Sequence, residues 1–291
     1  MRRPLAALAA LALGCLLAAC GVGTDTAGTQ PTPGLQGEIV ASEVVVGDQR
    51  LPLGILEQNT PVNDATVHVR AFYLGAASGS QMRGQADAPF KGEGLEGKGV
   101  YVARLKFDIA GSWLAEITAQ RAADGAHAVI HLPFNVVANP VVPAVGQPAP
   151  RSHNPTAKDV SDVSTIDSGT PPDDMHQISI ADAIAQQRPT LVIFATPAFC
   201  QTATCGPEVK VVQSLEPAYQ GRLAFIHVEI YRDYKPDPTK RQFAQTVLDW
   251  RLQTEPWIFL IDSKGIIRAR FEGPTATDEV KAAIDQLLAT P

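Results

Sequence analysis

Two cysteines, Cys200 and Cys205, stand five positions apart in the C-terminal half of a 291-residue chain that contains four cysteines in all. Sulfur at that spacing can close a local disulfide or open as a dithiol, and as a thiolate it is both a nucleophile and a soft metal ligand. The residues that follow, Gly206-Pro207-Glu208, suit the first turn of a helix, where the missing N–H of proline costs nothing and an acid is favoured. Cys205 should therefore lie at or just before a helix N-terminus, with Cys200 in the loop leading to it. Unpaired N–H groups and the positive end of the helix dipole favour thiolate over thiol there, and Glu208 partly opposes them. Which sulfur attacks first is open. His227, inside Phe225-Ile226-His227-Val228-Glu229, is either a buried, hydrogen-bonded strand residue or a nitrogen ligand facing the cysteines. His68, His131 and Met82 are scattered, with no His-x-His or Met-rich cluster among them, and exposed strand positions account for them.

The compartment decides what the cysteine pair does, and the N-terminus addresses it. Met1-Arg2-Arg3 is a positive start, and residues 5–19 form a Leu/Ala run shorter than the about 20 residues of a membrane-spanning helix. Leu17-Ala18-Ala19-Cys20-Gly21 resembles the lipobox of bacterial lipoproteins. The resemblance implies that residues 1–19 are removed as a signal peptide, that Cys20 is acylated, and that the protein is held at the extracytoplasmic face of the bacterial cell membrane. Residues 20–35, rich in Gly, Thr and Pro, should form a flexible tether. With Cys15 gone and Cys20 lipidated, Cys200 and Cys205 are the pair left, and an oxidising space favours a bridge between them. The remaining composition is that of a folded protein, 45% hydrophobic and 19% charged. A net charge of −6 without a basic cluster argues against nucleic acid, and a single long apolar run argues against a polytopic membrane protein.

The elements fall into two groups around a proline-rich stretch. Pro140, Pro143, Pro148, Pro150 and Pro155 mark a linker over residues 139–155. Before it, short alternating segments (38–46, 51–56, 65–74, 100–107, 113–119 and 128–137) are separated by Gly, Asn, Asp and Pro, which predicts an all-β sandwich over residues 36–138. The rhythm Gly99-Val100-Tyr101 through Ala110-Gly111-Ser112-Trp113 resembles small Ig-like periplasmic domains. After it, over residues 156–291, the order becomes α, β, α, β, α, β, β, α. Ser179 caps the first helix. Residues 190–194 are a continuous apolar run, as in a strand covered on both faces. Phe243, Val247 and Trp250 mark the third helix, and Trp250 and Trp257 are core residues.

That order, with four local motifs, resembles the thioredoxin superfamily. Val145-Gly146-Gln147-Pro148-Ala149-Pro150 resembles the V-G-x-x-A-P start of peroxiredoxins and TlpA-like thiol proteins. Thr196-Pro197-Ala198-Phe199-Cys200 resembles their turn and redox cysteine, Thr254-Glu255-Pro256-Trp257 the position of their cis-proline, and residues 259–267 their F-L-I-D-x-x-G-x-I hairpin. The resemblance implies an α/β thioredoxin-like domain, a mixed sheet flanked by helices, with Cys200, Cys205 and Pro256 at the catalytic site. The chain departs from thioredoxins in its Cys-x4-Cys spacing, with Glu208 where C-G-P-C has its second cysteine. The additional residue in T-P-A-F-C and the missing peroxide-polarising Arg argue against a peroxidase.

These readings together predict a membrane-anchored thiol–disulfide oxidoreductase that acts on extracytoplasmic protein thiols or disulfides without a cofactor. In it the Ig-like domain is a spacer or docking module, and Tyr231-Arg232-Asp233-Tyr234 begins a loop bordering the site. Two alternatives stay open. One is a Sco-like copper-binding chaperone, using Cys200, Cys205 and His227. The other is a non-catalytic thioredoxin-fold binding module in which the bridge only staples a loop.

Overall fold

In the N-terminal half, strand after strand places every second side chain inward. The computed structural model describes residues 34–77 and 79–289. Leader residues 1–19, Cys20 and most of the tether lie outside that range. One sheet is built from β1 (Leu35–Ile39), β3 (Gly47–Glu57), β8 (Val100–Phe107) and β7 (Phe90–Lys91), with β4 (Thr60–Pro61) also on β3. The second runs β2 (Val44–Val45), β10 (His127–Val137), β9 (Gly111–Arg121), β5 (Ala65–Tyr73) and β6 (Gln81–Asp87). Val67, Val69 and Ala71 of β5 point inward between outward Thr66 and Arg70, as the period of two requires. They meet Leu51, Leu53 and Ile55 across the sandwich, with Trp113 fully buried at its centre. Its ring packs edge-on against Phe107 at 5.0 Å, and its Nε1–H donates to the Ile109 carbonyl. This is an Ig-like sandwich.

The C-terminal domain is thioredoxin-like. Its elements are α1 (Ile180–Ala185), β11 (Thr190–Ala195), α2 (Cys205–Tyr219), β12 (Ala224–Glu229), β13 (Tyr231–Arg232), β14 (Gln242–Phe243), α3 (Gln245–Asp249), β15 (Trp257–Ile261), β16 (Ile267–Glu272) and α4 (Thr277–Ala289). The main sheet has the order β12-β11-β15-β16, with β11 and β12 parallel and β15 and β16 antiparallel. Leu191 and Ile193 of β11 face α2 and α4, while Val192 and Phe194 face α1 and α3. The continuous apolar run is thus explained by helices on both faces. Ser179 caps α1 by accepting the Asp182 N–H at 3.1 Å. Phe243 departs from the expected helix. It pairs with Tyr231 in the short β13–β14 ladder and stacks on its ring at 5.3 Å.

The proline-rich stretch lies along the free edge of β16. Gly146 N–H donates to the Ile267 carbonyl, Ile267 N–H to that of Gln147, and Ala149 N–H to that of Gly265. Val142 and Ala149 are buried in the same cluster as Val192 and Phe194. Proline lacks a donor but leaves the carbonyls and neighbouring N–H groups free to pair, and an exposed edge strand is protected by such a cover.

The two domains also touch directly and form one compact unit. Arg50 of β3 reaches Glu279 of α4 through Nε (3.0 Å) and Nη2 (2.9 Å), and both side chains are buried. The loop after β7 inserts Leu95 among Val209, Val211 and Val280. Gly94 is required there because its φ is +80° and a Cβ would stand 2.5 Å from Thr277 Oγ1.

Candidate active site

Cys205 is the first residue of α2, and Pro207 is the third rather than the first. All three leading N–H groups of a helix lack an intrahelical acceptor, so proline is still tolerated. Cys200 and Cys205 are joined by a disulfide with their Cα atoms 6.0 Å apart. Cys205 is sealed beneath the helix, whereas Cys200 is only half-buried. The Cys200 sulfur accepts the Cys205 backbone N–H at 3.3 Å and lies 3.3 Å from the Thr202 hydroxyl. Thr204, at the N-cap, makes no cap bond through its side chain, which turns to Thr202 Oγ1 at 2.8 Å. The positive end of α2 is thereby left facing Cys200 Sγ, the arrangement that stabilises a thiolate.

Glu208 opposes this less than the sequence suggested. Its side chain is fully buried, and burial pushes its pKa well up despite the nearby Arg50 guanidinium and the neighbouring Thr275. That shift favours the uncharged acid and so weakens its opposition to the thiolate.

The Glu255–Pro256 peptide is cis. The Glu255 carboxyl lies near the Gln201 backbone of the cysteine loop, and burial pushes its pKa up. The other wall is aromatic. Phe199 meets Tyr234 edge-on at 5.4 Å and Tyr231 at 5.9 Å, and the Arg241 guanidinium lies 5.2 Å from both the Phe199 and Tyr231 rings. The loop beginning at Tyr231 therefore does border the cysteines. Arg241 carried no signal in the sequence, Phe243 read as a helix residue, and Phe199 read only as part of the T-P-A-F-C turn; an aromatic immediately before the reactive cysteine was the available signal. The Ig-like domain reaches the same loop, where Lys98 Nζ donates to the Ala203 carbonyl at 2.7 Å.

His227 is placed elsewhere, and the copper trio of Cys200, Cys205 and His227 is not assembled. Its Nδ1 lies 2.8 Å from Asp173 Oδ2, and its Nε2 lies 3.2 Å from the Ala195 carbonyl, so neither ring nitrogen is turned to a sulfur. His176 and Asp167 complete that buried group. Burial alone would lower the pKa of His176, but bonds to Asp167 and Asp173 outweigh it and raise the value to about 9. His68 and His131 are surface residues paired with Asp87 and Glu116. Among the described residues no helix is long and apolar enough to cross a membrane.

Residues 177–288 match the family model for a thioredoxin-like domain, which covers the sheet, the cysteine pair and Pro256. Among curated proteins none matches the chain. Solved structures that resemble parts of it include the following two. One is a DUF4426 family protein from Pseudomonas aeruginosa, 12% identical over 36% of this chain and 91% of that one, at a TM-score of 0.26. The other is the PKD domain of the human VPS10 domain-containing receptor SorCS2, 19% identical over 45% of this chain and 98% of that one, at a TM-score of 0.20.

Proposed function

We propose that the protein is a lipid-anchored, extracytoplasmic thiol–disulfide oxidoreductase in which Cys200 is the exchanging sulfur and Cys205 the resolving one. The observation that carries this reading is the asymmetry of the pair. Cys200 is reachable and its sulfur receives a helix N–H and a hydroxyl, while Cys205 is buried. The anchor and compartment rest on the lipobox around Cys20 and on the leader.

In the reduced protein the Cys200 thiolate attacks one sulfur of a partner disulfide. A Cys200–partner mixed disulfide forms, and the partner's other sulfur leaves as a thiolate. Cys205, after giving up its proton, attacks Cys200 Sγ, restores the internal bridge and expels the partner's second thiolate. The partner gains two electrons and the protein loses two; the reverse sequence oxidises a partner dithiol. Pro256 and Glu255 border the approach on one side and Phe199 on the other, forming a mixed apolar and polar lip for an extended peptide.

Trapping tests this directly. Cys205→Ser should accumulate a mixed disulfide with a disulfide-bonded peptide on non-reducing gels, whereas Cys200→Ser should form none and lose turnover. A bridge potential below about −300 mV with no peptide turnover would identify a structural staple instead.

A further inference from the structure

Four side chains that thiol exchange does not use converge between β12 and the irregular segment before α1. They are Asp167, Asp173, His176 and His227, with side chains between 0% and 4% exposed. One ligand atom from each lies within 4.8 Å of the others. His176 Nε2 is 3.2 Å from Asp167 Oδ2 and 3.1 Å from Asp173 Oδ1; His227 Nδ1 is 2.8 Å from Asp173 Oδ2 and 3.9 Å from Asp167 Oδ2. Ligands at about 2.0–2.2 Å around a tetrahedral ion stand about 3.3–3.6 Å from one another; the four His–Asp separations, through one or other oxygen of Asp173, run from 2.8 to 3.9 Å.

The surroundings aim the atoms inward. His227 donates its Nε2–H to the Ala195 carbonyl at 3.2 Å, which turns Nδ1 towards the carboxylates. Asp167 accepts the Gly169 and Asp173 backbone N–H groups, and Asp173 Oδ1 accepts that of Met175. Outer bonds of this kind orient metal ligands. Among the described residues no Lys or Arg pairs with either acid; only the two histidines do.

We propose that Asp167, Asp173, His176 and His227 bind one divalent zinc ion as a closed structural centre. Two imidazole nitrogens and two carboxylate oxygens suit Zn²⁺, whereas Cu(I) prefers sulfur. A dication also balances two carboxylates with both imidazoles neutral. Four protein ligands leave no open position, so the ion's role is to clamp residues 167–176 onto β12. That segment supports the redox loop, because Ser168 Oγ accepts the Ala198 N–H at 3.1 Å, two residues before Cys200. The centre stands whether or not the cysteines exchange.

The test is equilibrium dialysis of the chelator-stripped full chain against Zn²⁺, with bound metal read by mass spectrometry and thermal unfolding followed alongside. One zinc per chain is expected, with a raised melting temperature. Binding should persist in the Cys200→Ser/Cys205→Ser double variant. It should weaken in Asp173→Asn and His176→Gln by more than about 100-fold, beyond the effect of losing an outer partner. Zinc lost with the cysteines, binding unchanged in the two ligand variants, or no binding up to millimolar zinc would overturn the proposal. Should the ligand variants fail to fold, the metal content and melting shift of the wild type and the double-serine variant decide it.

Discussion

The two domains differ in where they put polar atoms. Every Ser, Thr, Asn, His, Asp and Glu that is buried among the described residues lies at Ser152 or beyond it. The sandwich keeps its interior apolar and leaves His68, His131 and Arg70 on the surface. The thioredoxin-like domain encloses Asp167, His176, Glu208, His227 and Glu279, although each buried polar group costs stability unless it is satisfied. Both halves thus pack apolar cores, but only the second also encloses chemistry. The sandwich also supplies Arg50, Leu95 and Lys98 to the second domain, so it is a fixed buttress for the cysteine loop.

The largest effect should come from breaking the apolar half. Trp113→Ala removes a fully buried ring and its edge-on contact with Phe107, and should cost about 3–5 kcal/mol. Trp250 and Trp257 both lie in the other domain, so their fluorescence reports it separately from far-UV circular dichroism of the whole chain. Guanidinium unfolding that shifts the dichroism but not the fluorescence would show that the sandwich unfolds alone. Coincident shifts are expected, because Arg50 and Leu95 couple the two. Arg50→Ala should come next, with a loss of about 3 kcal/mol, because it strands Glu279 as a buried carboxylate whose one remaining cation, Arg104, is 3.5 Å away. The loss should change little with salt, since a buried pair is poorly screened. A loss that vanishes in high salt would mean the pair behaves as a surface bridge.

Most of this architecture was legible because it is periodic. The alternation from Thr66 to Phe72 and the unbroken run from Leu191 to Phe194 state which faces are covered, and the order of elements then leaves few topologies. The two-residue strands β2, β4, β7, β13 and β14 have no period to read. Phe243 fell at helical spacing from Val247 and Trp250, yet stacking on Tyr231 decided its place. The prolines of 139–155 mark a linker in sequence, and that it lies along the edge of β16 was not legible there, because proline signals the absence of helix and not the presence of an edge to lie on. At the site, Cys200, Cys205 and Pro256 carry their own local signals. Asp167, Asp173 and His176 lie in an aperiodic segment, and Asp173 meets His227 across 54 positions. Only the fold could bring them together.

The smallest effect concerns Glu208, a buried acid that forms no ion pair among the described residues. Glu208 has a folded-state pKa raised by burial well above its ordinary value, so between the two values the native state holds a proton that the unfolded chain releases. Stability contributed by that group is complete below the unfolded value. It falls as pH rises above it, by up to about 1.4 kcal/mol per pH unit, until the folded value is reached. Glu208→Met keeps the length and flexibility of the side chain and removes its two buried oxygens. It should stabilise the protein at pH 7 by about 1–2 kcal/mol and flatten this part of the pH profile. Chemical unfolding of wild type and variant from pH 5 to 8 measures both, and the gain should widen towards the alkaline end. A constant difference across the series would mean that Glu208 is ionised in place by Arg50. In that case the thiolate of Cys200 does face a negative charge, and the mean rate of exchange should rise in the variant.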